Sequence, residues 1–83
     1  MSACFSAIEF GAALRAERLA LGKTLQWVAD RVGCRRQTIS ELEAGQNVGI
    51  YTAFAALAAL DKGMNIIDSR IELERLKELL DED

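Results

Sequence analysis

"VGCRRQTISELEAG" spans residues 32–45 of an 83-residue chain. Placed on a helix at about 100° per residue, Ile39 and Leu42 fall on one side together with Glu43. Gln37 and Glu41 point the opposite way, flanked by Thr38, Ser40 and Ala44. Gly33 stands near the start of this segment and Gly45 closes it, both in positions where helices stop. A helix of this length, greasy on one edge and rich in hydrogen-bonding groups on the other, needs a protein core behind it and water or a polar partner in front.

The flanking sequence supplies the core. In "TLQWVADRVG" (residues 24–33), Leu25, Val28, Ala29 and Val32 make one apolar face, Thr24 is placed to cap and Gly33 to terminate. This predicts a helix of about eight residues, followed by a turn of about three before the next helix begins. Upstream, residues 8–21 carry Phe10, Leu14 and Leu21 on one stripe, with Arg18 on the same stripe, and Gly22 follows. Downstream, "QNVG" reads as a loop. "IYTAFAALAALD" (residues 50–61) is a nearly apolar helix, with Ile50, Ala53, Phe54, Leu57 and Leu60 expected to face the core. "KGMNIID" contains Gly63, Asn65, Met64, Ile66 and Ile67 and reads as a short extended segment. Ser69 and Glu72 have capping-box spacing, and Leu73, Leu76 and Leu80 share one face of a last helix. The expected architecture is all-α, with a helical domain over residues 1–62 and a C-terminal strand and helix over 63–83.

Composition narrows the function. Half the residues are hydrophobic and proline is absent, which suits one small helical domain burying about 60–65% of its unfolded surface. No apolar run approaches the roughly 18 residues that cross a bilayer, and the N-terminus lacks the features of a signal peptide. We expect a cytoplasmic, nucleoid-associated protein without a membrane partner. The net charge is −3, but it is unevenly spread. Residues 1–60 hold six basic against five acidic groups, whereas residues 61–83 hold four against eight. A local positive patch can therefore still face a polyanion. With no histidine and with Cys4 and Cys34 far apart, neither a metal site nor any other cofactor is expected. Cys34 reads as a small buried apolar residue; a reactive thiol activated by Arg35 and Arg36 is the alternative. No acid pair or glycine-rich phosphate loop points to catalysis, so an enzyme is not expected.

The paired short helices, together with "LRAERLALG", Thr24, "VADRVG", "RRQTISELEAG" and the apolar helix that follows, resemble the Cro/CI (Xre) repressor family from about Phe10 to Leu60. The resemblance implies a five-helix, lambda-repressor-like helix-turn-helix domain whose third helix, about residues 36–44, enters the major groove of double-stranded DNA. It also implies a structural ion pair between Arg18 and Glu43. Phosphate contacts are implied from Gln46 and Asn47 in the following loop and from Tyr51 in the next helix. Two departures stand out: Arg35 replaces the usual serine or threonine cap, and Leu25 replaces a glutamine that touches phosphate. The "QNVG" loop is also shorter than the commonest version.

Physical chemistry gives each polar residue a role in such a groove. Arg36 can grip guanine O6 and N7, and Gln37 can pair with adenine N6 and N7. Thr38 offers a methyl to thymine or a hydroxyl to phosphate, and Glu41 could accept from cytosine N4. We take these four as base-contacting candidates. Arg36 and Thr38 have phosphate contact as the alternative, and Glu41 a solvated or arginine-paired state. Arg35 and Ser40 join Gln46, Asn47 and Tyr51 as phosphate-contacting candidates. Trp27 lies off the buried stripe of its helix, either as a partner contact or folded over Phe5 or Ile8.

One such unit touches little DNA, and paired half-sites about one helical turn apart imply a homodimer. The tail is expected to form it: Leu57, Leu60, Met64, Ile66, Ile67, Leu73 and Leu76 are the candidate interface, with "MNII" pairing across a two-fold axis. The alternative is that the tail packs on its own domain. The layout also resembles antitoxins that partner HipA-type kinase toxins. The expected function is thus a sequence-specific transcriptional regulator, a repressor binding a palindromic operator as a homodimer. The alternative is an antitoxin-type module that neutralises a partner toxin and regulates its own operon.

Overall fold

The computed structural model describes residues 4–66. Within them lie four helices: α1 (Ala7–Ala20), α2 (Leu25–Val32), α3 (Arg36–Glu43) and α4 (Ile50–Ala59). The described residues contain no strand, and residues 62–66 take no regular secondary structure. The expected fifth helix, with Ser69, Glu72, Leu73, Leu76 and Leu80, lies outside the described residues, as does Ile67.

Local chemistry sets the boundaries. Ser6 caps α1, its Oγ accepting from the Glu9 amide at 3.1 Å, while Glu9 Oε2 accepts from the Phe5 amide at 2.8 Å. This reciprocal arrangement is close to a capping box, and its Ser-x-x-Glu spacing was present in the sequence. Thr24 Oγ1 accepts from the Trp27 amide at 3.0 Å and starts α2. Gly33 ends α2 in the left-handed region at φ +83°, where its amide returns to the Ala29 carbonyl. Arg35 occupies the N-cap of α3 with no side-chain cap, as its identity demands.

The core is made where α2 meets α3 and α4. Val28, Ala29, Ile39 and Ala56 are almost fully enclosed, with Leu14, Leu42, Leu57 and Leu60 around them. Gly11 brings α1 against the end of α3. A Cβ there would stand 2.5 Å from the Leu42 carbonyl oxygen and closer still to that of Glu43. Only a residue without a side chain allows the two backbones to approach so closely.

Three expectations about apolar residues need correction. Ile50 and Phe54 are 65% and 46% exposed, and Leu21 is also exposed. Ala53, Leu57 and Leu60 do face the core as expected, joined by Ala56, with Ala53 only partly buried and Leu60 at the C-cap of α4. Leu57 and Leu60, placed at the dimer interface by the sequence reading, are enclosed in the protomer's own core, with little surface left for a partner. Trp27 does not shelter Phe5 or Ile8, which stay 56% and 70% exposed. It packs on the core edge, with Lys23 Nζ 4.4 Å and Arg31 Cζ 4.5 Å from its ring centroid.

Candidate nucleic-acid interface

The two edges of α3 differ as the amino-acid pattern requires. Ile39 is completely buried and Leu42 nearly so, which fixes the helix by its apolar side. Arg35, Arg36, Gln37 and Ser40 are exposed, and Thr38 and Glu41 are half-buried beside them. The helix thus offers side chains with both donors and acceptors to whatever approaches, on a backbone that cannot roll without exposing Ile39.

What stops it rolling is also polar. Arg18 is 7% exposed and reaches across from α1. Its Nε donates to Glu43 Oε2 at 2.7 Å, its Nη2 to Glu43 Oε1 at 3.1 Å, and its Nη1 to the Lys23 carbonyl at 2.9 Å. The guanidinium fork therefore ties α1, the α1–α2 turn and the last residue of α3 together. No buried side-chain polar atom among the described residues lacks a partner.

On the outward edge, Gln37 Nε2 donates to Glu41 Oε1 at 3.3 Å. Glu41 is therefore engaged with its neighbour one turn back, and among the described residues it pairs with no arginine. Arg35 and Arg36 make no ion pair among the described residues, so their charges are available to an anion. An open groove of about 630 Å³ adjoins the site, lined in part by Lys23, Thr24, Gln26 and Arg36. Leu25 also borders it, beside the cationic Lys23 and Arg36. Gln46 and Asn47 are exposed in the loop after α3, and Tyr51 is 90% exposed in the first turn of α4. Gly45 sets the course of that loop at φ +80°, where a Cβ would press within 2.7 Å of the Ile8 Cα.

Cys34 is half-buried against the core, and burial raises its thiol pKa above the usual value. The direction is opposite to that of an activated thiolate, despite Arg35 and Arg36 beside it in the sequence. Of the candidate interface residues, Met64 is 51% and Ile66 94% exposed; Leu73 and Leu76 fall outside the described residues. No helix among the described residues is long and apolar enough to cross a membrane.

The model of the helix-turn-helix domain matches residues 9–63. The chain belongs to the helix-turn-helix domain family. This helix-turn-helix protein is similar to a chain of the HipB–O4 20mer complex, with 26% identity, a TM-score of 0.78, and 83% of this chain and 99% of the other covered. The same identity, score and coverage hold for a chain of the HipA–HipB–O2–O3 complex. The restriction-modification controller protein C.AhdI from Aeromonas hydrophila is similar at 31% identity and a TM-score of 0.64, over 69% of this chain and 88% of that one. No curated protein sequence matches at a significant level. The family resemblance read from α1 to α4 is therefore correct, and the chain is a DNA-binding regulator of the Xre type, in the company of regulators and not of enzymes.

Proposed function

We propose that this protein is a sequence-specific repressor that binds a palindromic operator as a homodimer, each α3 lying in the major groove. The observation that carries this reading is the division of α3. Ile39 and Leu42 are locked inside while Arg35, Arg36, Gln37 and Ser40 face out. An α-helix fits the major groove, and side chains near its N-terminus meet base edges. Arg36, Gln37 and Thr38 then contact bases, and Arg35, Ser40, Gln46, Asn47 and Tyr51 hold the phosphates on either side.

Dimerisation is assigned to residues 63–83, joined to a DNA-binding domain over 1–62. With Leu57 and Leu60 committed to the protomer's core, the interface falls to Met64, Ile66, Ile67, Leu73 and Leu76. A second reading is favoured by the likeness to HipB in a complex with HipA: a partner toxin is bound and neutralised, and the same operon is autoregulated. Both readings share the DNA-binding face and differ in whether a further protein is captured.

Sedimentation of the free chain and salt-dependent binding to duplex test the proposal together. A dimer whose affinity falls steeply with salt is expected, since each neutralised phosphate releases a counterion. A monomer at micromolar concentration, or a salt-independent affinity, would contradict it.

A further inference from the structure

The Gln37–Glu41 pair carries more than helix stability. A carboxylate has only acceptors to offer, so the atom of Gln37 facing Glu41 must be the amide nitrogen. The 3.3 Å contact from Nε2 to Glu41 Oε1 therefore fixes which way round the amide sits. The amide has two protons. The one trans to the carbonyl can go to Glu41, leaving the carbonyl oxygen and the remaining N–H side by side on the free edge.

That free edge is an acceptor next to a donor. Adenine presents the complement in the major groove, a donor at N6 and an acceptor at N7. Guanine presents two acceptors, O6 and N7, and would set O6 against the amide oxygen. An unrestrained glutamine could turn its amide so that the oxygen faces away and both N–H groups go to guanine O6 and N7. With Glu41 in place, the turned amide would put its oxygen against a carboxylate, and this repulsion sharpens once the groove excludes water.

From this geometry we infer that Glu41 is a positioning residue that makes Gln37 select adenine over guanine, without itself touching a base. This rests on the reading of α3 as the helix that enters the groove. It also accounts for an acid on a surface that faces phosphate: Glu41 lowers affinity for every duplex and in exchange rejects one class of wrong base. Specificity is a difference between affinities, and a group that disfavours the competitor serves it as well as one that favours the target.

Two substitutions separate charge from geometry. Glu41→Asp keeps the charge but shortens the side chain by a methylene, so the contact with Gln37 is lost. Glu41→Gln keeps the length, removes the charge and can donate as well as accept, so it no longer dictates the amide's orientation. The full chain and each variant are measured against paired duplexes that differ only as A·T or G·C at the base pair whose preference Gln37→Ala abolishes. Binding to a random duplex and thermal melting are recorded alongside.

Glu41→Asp is expected to reduce the adenine-over-guanine ratio about threefold to tenfold, the share of a bidentate contact that orientation controls. Its random-duplex affinity and melting are expected to stay unchanged. Glu41→Gln is expected to lose the ratio similarly while binding all duplexes more tightly. A ratio unchanged in both variants, with Gln37→Ala still abolishing the preference, overturns the role of Glu41 and leaves the groove-binding reading standing. A wild-type chain without any sequence preference overturns both.

Discussion

Arg18 of α1 and Glu43 of α3 form a two-pronged ion pair, with Nε to Oε2 at 2.7 Å and Nη2 to Oε1 at 3.1 Å, and their side chains are only 8% and 6% exposed. The pair lies at the opposite end of α3 from the residues assigned to bases, and it fixes how far that end stands from α1. Charged groups so enclosed stabilise only when their polar atoms are matched, and here the third Arg18 contact, to the Lys23 carbonyl at 2.9 Å, gives each guanidinium nitrogen a partner.

Removing one member leaves the other charged and buried. Arg18→Ala or Glu43→Ala is expected to cost about 3–5 kcal/mol of folding free energy, measured by urea unfolding. The double change Arg18→Met with Glu43→Leu is expected to recover most of this loss, because an apolar pair of similar volume leaves no orphaned charge. Equal destabilisation by the double and single variants would show that the site is valued for its shape instead.

Gly11→Ala offers a contrast. In an open helix this change would stabilise by about 1 kcal/mol. Here the new methyl meets the Leu42 and Glu43 carbonyl oxygens. Backbone cannot step aside as a flexible side chain does, so the expected result is a net loss of about 1–3 kcal/mol with α1 pushed away from α3. Thermal melting reads the sign directly.

Arg35→Ser exchanges affinity for stability. It supplies the N-cap side chain that α3 lacks, worth roughly 0.5–2 kcal/mol. It also removes a positive charge from the expected phosphate contacts. A higher melting temperature is expected together with weaker binding to all duplexes and a salt slope reduced by about one unit. Undiminished binding would remove Arg35 from the interface.

Cys34 provides a pH test. Its thiol pKa is raised by burial, so the folded state holds the proton more tightly than the unfolded chain. The associated stability is complete below the unfolded pKa and declines as pH rises through the folded one. Folding stability is therefore expected to fall in alkaline solution above about pH 9. A Cys34→Ala variant should show less of that decline, and an identical decline would assign it to other groups.

Much of this molecule was legible because polar and apolar residues alternate clearly in its first three helices. Thr24, Gly33 and Gly45 punctuate the chain, and the stripe through Val28 and Ala29 emerged as the core of α2. The arginine on the apolar stripe of α1 and the glutamate on the inner edge of α3 were found paired. Legibility failed on α4, where Ile50–Ala59 offers only Tyr51 and Thr52 as polar contrast. A uniformly apolar helix has no phase to read, so the sequence does not separate the exposed Ile50 and Phe54 from the buried Ala56 and Leu57. Gly11 gives only the weak signal of a glycine within a helix, and hydrophobic periodicity does not report the cationic contacts that Lys23 and Arg31, four residues to either side, make with Trp27.

The reading of α3 as the element that enters the groove faces its most direct trial in selecting bound duplexes from a random pool with the full chain and with Gln37→Ala. The wild-type pool should converge on a palindrome with half-sites about one helical turn apart, and Gln37→Ala should lose preference at one symmetric pair of positions while retaining the rest. A pool that never converges, or one that converges identically with and without Gln37, would contradict it.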